Sequence, residues 1–118
     1  MHNKSSPFVK VSYLKSSEIR AQIHRAAQAI KQNPNVAKVY LFGSFVRGEQ
    51  KPGSDADISI LLKHDDRRII DRIPEYLDYF AEVKVPVDLF PYTLAEIEAM
   101  KASSNPLWRE ILATGVEL

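Results

Sequence analysis

Three short apolar runs, each bounded by turn residues, limit the fold of this chain more than any other feature. Val36 to Phe42 ends in a nearly continuous apolar stretch, while Asp55 to Leu62 and Val85 to Phe90 alternate apolar and polar residues. Runs of this length and pattern predict β-strands. Segments with helical spacing of apolar residues lie before, between and after them. We therefore expect an α/β (α+β) protein of order α-β-β-α-β-α-α, with a small mixed β-sheet flanked by helices.

Local capping signals bound the predicted helices. These run from Ser16 or Ser17 to about Gln32, from Ser44 through Arg47, from Asp65 to about Lys84, from a capping box at Thr93 to about Ala102, and from Asn105-Pro106 to Gly115. The third helix is expected to bury one apolar stripe. This stripe comprises Ile69, Ile70, Ile73, Leu77 and Phe80. Pro74 must break or kink that helix, or lie near the first turn of a second helix, because proline has no N–H to donate.

The length of 118 residues predicts a single domain spanning residues 1–118, in which residues 1–15 form an N-terminal arm. Because there is no cysteine, a disulfide scaffold, a cysteine nucleophile and a thiolate metal site are excluded, and three scattered histidines argue against a zinc site. No apolar run approaches the roughly 20 residues that span a bilayer, and the first residues do not resemble a signal peptide. We expect a soluble cytoplasmic protein without membrane contact.

The net charge of +1 conceals an uneven distribution. Residues 1–51 hold nine Lys or Arg and two acidic residues, whereas residues 52–118 hold seven basic and thirteen acidic residues. One interpretation is that the two halves face different partners. The other is that the halves interleave in space and the asymmetry disappears. The sequence leaves both open.

Three aspartates occupy strand positions that suit a metal site. Asp55 and Asp57 are two residues apart at the start of the second strand, so both project from one face, and Asp88 lies on the polar face of the third strand. If these strands are neighbours, the three carboxylates repel strongly without a cation. Mg²⁺ prefers oxygen ligands, and paired ions recur in phosphoryl and nucleotidyl transfer. The alternatives are a turn residue at Asp55 and an edge-strand charge at Asp88.

The residues just upstream suit a phosphate group. The first strand ends at Phe42, Gly43 permits a close turn, and Ser44 opens a helical turn whose N–H groups and hydroxyl can bind an anion. The alternative for Ser44 is a simple helix cap. Arg47 and Lys51 either contact phosphates or a partner, or are solvated.

The complete pattern is Gly43-Ser44, ten residues, then Asp55-Ala56-Asp57, with Asp88 on a later strand. It closely resembles the signature of the DNA polymerase β-like nucleotidyltransferase superfamily. The local string GSFVRGEQKPGSDADISIL resembles its smallest branch, the minimal nucleotidyltransferases (MNT), which are commonly the antitoxin half of HEPN/MNT toxin–antitoxin pairs. The resemblance covers residues 36–62, and residues 85–90 for the third carboxylate.

This resemblance implies a function for each matching residue. Gly43 and Ser44 would hold the phosphates of ATP, while Asp55, Asp57 and Asp88 would ligate two Mg²⁺ ions, and Asp88 would also help to deprotonate the attacking hydroxyl. The reaction would transfer AMP to a protein side chain and release pyrophosphate. In some antitoxins of this branch the acceptor is a tyrosine of the partner HEPN ribonuclease toxin, which the transfer silences, and the resemblance implies the same acceptor here.

Two other functions remain open at this stage. The chain could be a binding module that neutralises its partner by direct contact, without catalysis. It could also be a small-molecule nucleotidyltransferase of the antibiotic-modifying type, although the length leaves little room for an acceptor domain. Direct nucleic-acid binding is not expected, because nothing in the sequence predicts a surface that could bind a nucleic-acid duplex.

Overall fold

The computed structural model describes residues 16–48 and 55–118. The predicted N-terminal arm and most of the loop after Gly48, including Lys51, lie outside the described residues. Within the two described ranges, no helix is both long enough and apolar enough to cross a membrane.

Four strands form one mixed sheet in the order β3-β2-β1-β4. They are β1 (Val36–Phe42), β2 (Ala56–Leu62), β3 (Val87–Thr93) and β4 (Val116–Glu117). β1 pairs antiparallel with β2 and β4, whereas β2 pairs parallel with β3. The predicted fold class is confirmed. β3 lies later in the chain than the predicted strand from Val85 to Phe90, because its pairing with β2 continues as far as Leu62 and Thr93.

The helices surround this sheet. They are α1 (Ser16–Ile30), α2 (Ser44–Arg47), α3 (Ile69–Leu77), α4 (Leu94–Ala102) and α5 (Pro106–Thr114), with a 3₁₀ turn at Asp78–Phe80 after α3. The predicted capping box is confirmed, since the hydroxyl of Thr93 accepts from the N–H of Glu96 and the Glu96 carboxylate accepts from the N–H of Thr93. The Asn105 side chain caps α5 as predicted, with Pro106 in its first turn.

The predicted helix from Asp65 to about Lys84 is wrong in extent. The carboxylate of Asp65 accepts a hydrogen bond from the backbone N–H of Arg67 (2.9 Å), and this local turn keeps the residues before α3 out of the helix. Pro74 lies inside α3, and the helix ends three residues later at Leu77. The chain then tightens into the 3₁₀ turn.

The alternation of β2 divides the interior into two apolar clusters. Ala56, Ile58, Ile60 and Leu62 pack with the buried face of α1 in the larger cluster. Leu61 points the other way and packs with Ile97 and Met100 of α4, against half-buried side chains of α5. Each such side chain contributes about 1.5–3 kcal/mol to folding. The smaller cluster covers the Leu61 end of this second face and does not extend to Asp57, at the start of β2.

α3 turns only part of its predicted apolar stripe to the core. Ile70 and Leu77 were expected in the buried stripe, but they are 67% and 44% exposed, while Phe80 is buried as expected. The buried positions within α3 are Arg72 and Tyr76. Ile69 and Ile73 are half-buried, and Ile73 packs against the larger cluster, so Arg72 and Tyr76 orient the helix together with this part of the predicted stripe.

The guanidinium of Arg72 explains this orientation, because all five of its N–H groups have acceptors. It binds both oxygens of the Glu96 carboxylate (2.7 and 3.0 Å). The remaining acceptors are the carbonyl oxygens of Asp65, Arg67 and Pro91, at 2.9–3.0 Å. A buried guanidinium with every donor satisfied joins the loop before α3, α3 itself, β3 and α4.

We predict that Arg72→Met lowers the free energy of unfolding by about 3 kcal/mol, because the buried carbonyls and the Glu96 carboxylate lose their donors. The matched control is Arg68→Met. The Arg68 side chain is 81% exposed, and within residues 16–48 and 55–118 its one ion pair is with Asp71, so its loss should cost less than about 0.5 kcal/mol. Denaturant titration of both variants checks the difference, and equal costs would contradict the role of Arg72.

The same network predicts a pH dependence. The hydrogen bonds from Arg72 lower the pKa of Glu96, and hydrogen bonds from the Arg67 guanidinium lower the pKa of Asp65 to about 2. A carboxylate whose pKa falls on folding stabilises the protein above its unfolded pKa and loses that contribution as pH falls through its folded pKa. The stability difference between wild type and Glu96→Gln should therefore shrink below about pH 4.5, the ordinary value for glutamate. A difference that stays constant in acid would refute this.

Candidate active site

The end of β1 and the starts of β2 and β3 lie together at one end of the sheet. Phe42 pairs with Asp57, and Asp57 pairs with Asp88. Paired residues of neighbouring strands point to the same face, so the Asp57 and Asp88 side chains lie side by side on adjacent strands. Asp55 comes immediately before β2 and is exposed. The strand register therefore brings the three predicted carboxylates to one end of the sheet.

An apolar pair lies beside the carboxylates. The rings of Phe42 and Phe90 contact each other across β2, with their centroids 5.5 Å apart. Both side chains belong to the sheet face that carries Asp57 and Asp88. This surface limits the access of water to Asp57, which is only half-exposed.

Gly43 follows β1 and lies directly against Asp57. A β-carbon at this position would come within 2.5 Å of the Asp57 Oδ2 atom, closer than real contacts allow. The backbone at Gly43 also has φ 84°, which side chains rarely tolerate. Glycine is therefore required here for two reasons. Its backbone has a positive φ, and a β-carbon would collide with the Asp57 carboxylate beside the turn.

The short helix α2 begins immediately after this turn. Gly43 occupies the cap position without a side-chain hydrogen bond, and Ser44 is the first helical residue, so the alternative of Ser44 as the cap is wrong. The N–H groups of Val46 and Arg47 donate to the Gly43 carbonyl (3.1 and 3.2 Å). A helix of four residues is not stable by itself, so its position depends on other elements.

Contacts from α1 and α5 hold α2 in place. From α1, the guanidinium of Arg20 donates to the Phe45 carbonyl (3.1 Å). From α5, the hydroxyl of Thr114 accepts a hydrogen bond from the Gly43 N–H (2.8 Å), and the Glu110 carboxylate pairs with Arg47. Sequence reasoning missed Glu110 and Thr114, because they lie more than 60 residues after the turn and carry no motif.

The charges at this edge repel one another. Burial raises the pKa of Asp57, and the negative charges of Asp88, Asp55 and Glu110 raise it further, while Arg47 opposes them. Burial and a hydrogen bond with the Asp55 carboxyl raise the pKa of Asp88.

The donor set suits a hard divalent cation, because every group is a carboxylate oxygen and their mutual repulsion would be relieved by positive charge. In the described part of the chain, no three His, Cys, Asp or Glu side chains are already arranged as a metal cage. The carboxylates are thus close enough to interact electrically, but have not converged on one point. Lys51, the remaining predicted phosphate ligand, lies outside the described residues.

Comparison with known proteins identifies the family of this chain. The family described as "Nucleotidyltransferase domain" matches residues 23–107. A protein of Methanocaldococcus jannaschii, provisionally named as a protein adenylyltransferase, is 33% identical over 70 residues, which cover 58% of this chain and 81% of the relative.

Solved structures share the fold. A chain from a toxin–antitoxin complex with AMP-PNP superposes with a TM-score of 0.53 at 23% identity, covering 88% of this chain and 72% of its own. A chain from the MntA-HepT toxin–antitoxin complex superposes with a TM-score of 0.51 at 20% identity, covering 86% and 69%. The family match over most of the chain and the relative from M. jannaschii together show that this chain belongs to the nucleotidyltransferase domain family and is an enzyme of the nucleotidyltransferase type.

Proposed function

We propose that this enzyme transfers AMP from ATP to a side-chain hydroxyl of a partner protein. The observation that carries the proposal is the contact between the Gly43 turn and Asp57, with Asp88 paired to Asp57 on the next strand. This contact puts a turn suited to phosphate beside carboxylates suited to a cation. The name of the M. jannaschii relative supports a protein as the acceptor.

In this proposal, Asp55, Asp57 and Asp88 hold Mg²⁺, in line with the all-oxygen donor set. When bound, the metal would neutralise charge on the phosphates and lower the pKa of the attacking hydroxyl. The Gly43–Ser44 turn binds the phosphates of ATP, and Arg47 contributes positive charge beside them. Lys51 would add a second positive charge from the following loop.

The acceptor oxygen attacks the α-phosphorus of ATP in line with the leaving group. A bond forms between that oxygen and the α-phosphorus, and the bond to the bridging oxygen of the β-phosphate breaks, which releases pyrophosphate. The hydroxyl proton passes to Asp88, which is exposed at the open edge of the site.

For the acceptor, we propose a tyrosine of a HEPN ribonuclease toxin, which makes the enzyme an antitoxin. Two observations support this choice. The motif resembles that of the minimal nucleotidyltransferases, and solved structures with this fold come from toxin–antitoxin complexes, one of them with AMP-PNP. We propose ATP as the donor for the same reasons.

We predict that the purified chain, with ATP, Mg²⁺ and its partner, increases the mass of the partner by one adenylate. Asp57→Asn should lower the rate at least about 100-fold, because the central carboxylate is lost. Intact-protein mass spectrometry checks both results. An unchanged partner mass with the wild-type chain would refute transfer to protein. Neutralisation that survives Asp57→Asn would instead favour a binding module.

Stability provides the control for this variant. Since burial and neighbouring charges raise the pKa of Asp57, ionised Asp57 destabilises the fold at neutral pH, and neutral Asn removes that cost. Asp57→Asn should therefore unfold at a higher temperature than wild type in buffer with a chelator. Lost activity in a stabilised variant cannot come from unfolding.

Two glycines of the α2 region provide a further matched test. Gly43→Ala adds a strained φ and pushes the Asp57 carboxylate aside, whereas Gly48→Ala adds similar strain (φ 74°) in open space. Each substitution should cost about 1–2 kcal/mol of stability from backbone strain. We predict that Gly43→Ala lowers the transfer rate at least about 100-fold and that Gly48→Ala changes it less than about threefold. Equal rates for the two variants would contradict the role of the Gly43–Asp57 contact.

A further inference from the structure

The last turn of α5 contacts both ends of the short helix α2. At the start of α2, the N–H of Gly43 donates to the Thr114 Oγ1 atom (2.8 Å), and the Thr114 hydroxyl donates onward to the Glu110 carbonyl (2.9 Å). At the end of α2, the Glu110 carboxylate pairs with Arg47. Glu110 and Thr114 are four residues apart on one helix, so they present adjacent side chains to α2.

These contacts supply what α2 lacks. Gly43 has no side chain to fix the orientation of its peptide, and its backbone has a positive φ that favours glycine. The Thr114 hydroxyl satisfies the Gly43 N–H and is itself anchored to the α5 backbone, so it sets the direction of that peptide. The orientation of the Gly43 peptide in turn sets the direction of the next N–H groups along the chain, at the start of α2.

We propose that Thr114 is a positioning residue for nucleotide binding, which holds the Gly43 turn in its phosphate-binding form, and that Glu110 holds Arg47 at the other end of α2. The proposal rests on the assignment of nucleotide phosphates to the Gly43–Ser44 turn. It adds residues from outside the family match, which ends at residue 107. The final helix thus completes a site whose motifs lie in the first half of the chain.

Calorimetric binding of AMP-PNP with Mg²⁺ to the full chain tests this without any protein acceptor. Thr114→Val keeps the size and branching of the side chain but removes the hydroxyl, and should weaken binding about tenfold, as losses of supporting hydrogen bonds do elsewhere. Thr114→Ser keeps the hydroxyl and should bind within about twofold of wild type. Leu112→Ala is the control on the same helix, because Leu112 is 71% exposed.

A second readout follows the turn itself. The chain contains four glycines, so ¹⁵N-glycine labelling gives a spectrum simple enough to follow Gly43. The Gly43 amide resonance should move in Thr114→Val and stay near its wild-type position in Thr114→Ser. This measurement reports on folded molecules, so it holds even if Thr114→Val lowers the unfolding temperature.

The outcomes separate this inference from the proposed function. Weakened nucleotide binding in Thr114→Val, restored in Thr114→Ser, supports the positioning role even if no protein is ever modified. Equal affinity for AMP-PNP in wild type and Thr114→Val, or an unmoved Gly43 resonance, overturns it. Binding of AMP-PNP by wild type without transfer to any protein would refute only the proposed acceptor.

Discussion

The position of β3 depends on the hydrogen bonds of one buried guanidinium. β3 is an outer strand of the described sheet and is paired with β2 along one side. On its other side, Arg72 binds the carbonyl of Pro91 and ties that strand to α3 and to the first turn of α4. A charge is costly to bury, but a guanidinium with every donor bonded fixes the relative orientation of the groups it binds, which apolar contacts do not. The location of Asp88, near the start of β3, follows from this arrangement.

At the end of the sheet where the carboxylates lie, the charges are not compensated as the charge of Arg72 is. There, like charges are brought together and their repulsion is not compensated by the chain alone. The strand ladder and the two apolar clusters provide the stability that tolerates this concentration of charge. Such local conflict within a well-packed fold is typical of catalytic sites, where groups are arranged for a bound ligand rather than for the fold.

The sequence was sufficient for features encoded by neighbouring residues. The Gly43-Ser44 and Asp55-Ala56-Asp57 spacing, the alternation of β2 and the cap at Thr93 are all local, and each predicted its element. The prediction for α3 was wrong for Ile70 and Leu77, because local periodicity cannot show that Arg72 has five acceptors in the interior and that these two side chains then face outward. Thr114 and Glu110 were missed for a related reason, since their roles exist only once α5 packs beside β1 and α2. The register of β3 with β2 likewise depends on pairing across the sheet.

The outer strands have a consequence for how a partner can attach. β4 has only two residues, and β3 contains Pro91, which has no N–H to offer. In the described part of the chain, the sheet therefore presents poor edges for an added strand, and recognition by strand addition is disfavoured. Under the proposed function, a protein that presents its hydroxyl to the carboxylate end of the sheet would be held through side chains and helix surfaces. The specificity for that protein would then depend on the shapes and charges of those surfaces, which can diverge while the backbone of the sheet stays the same.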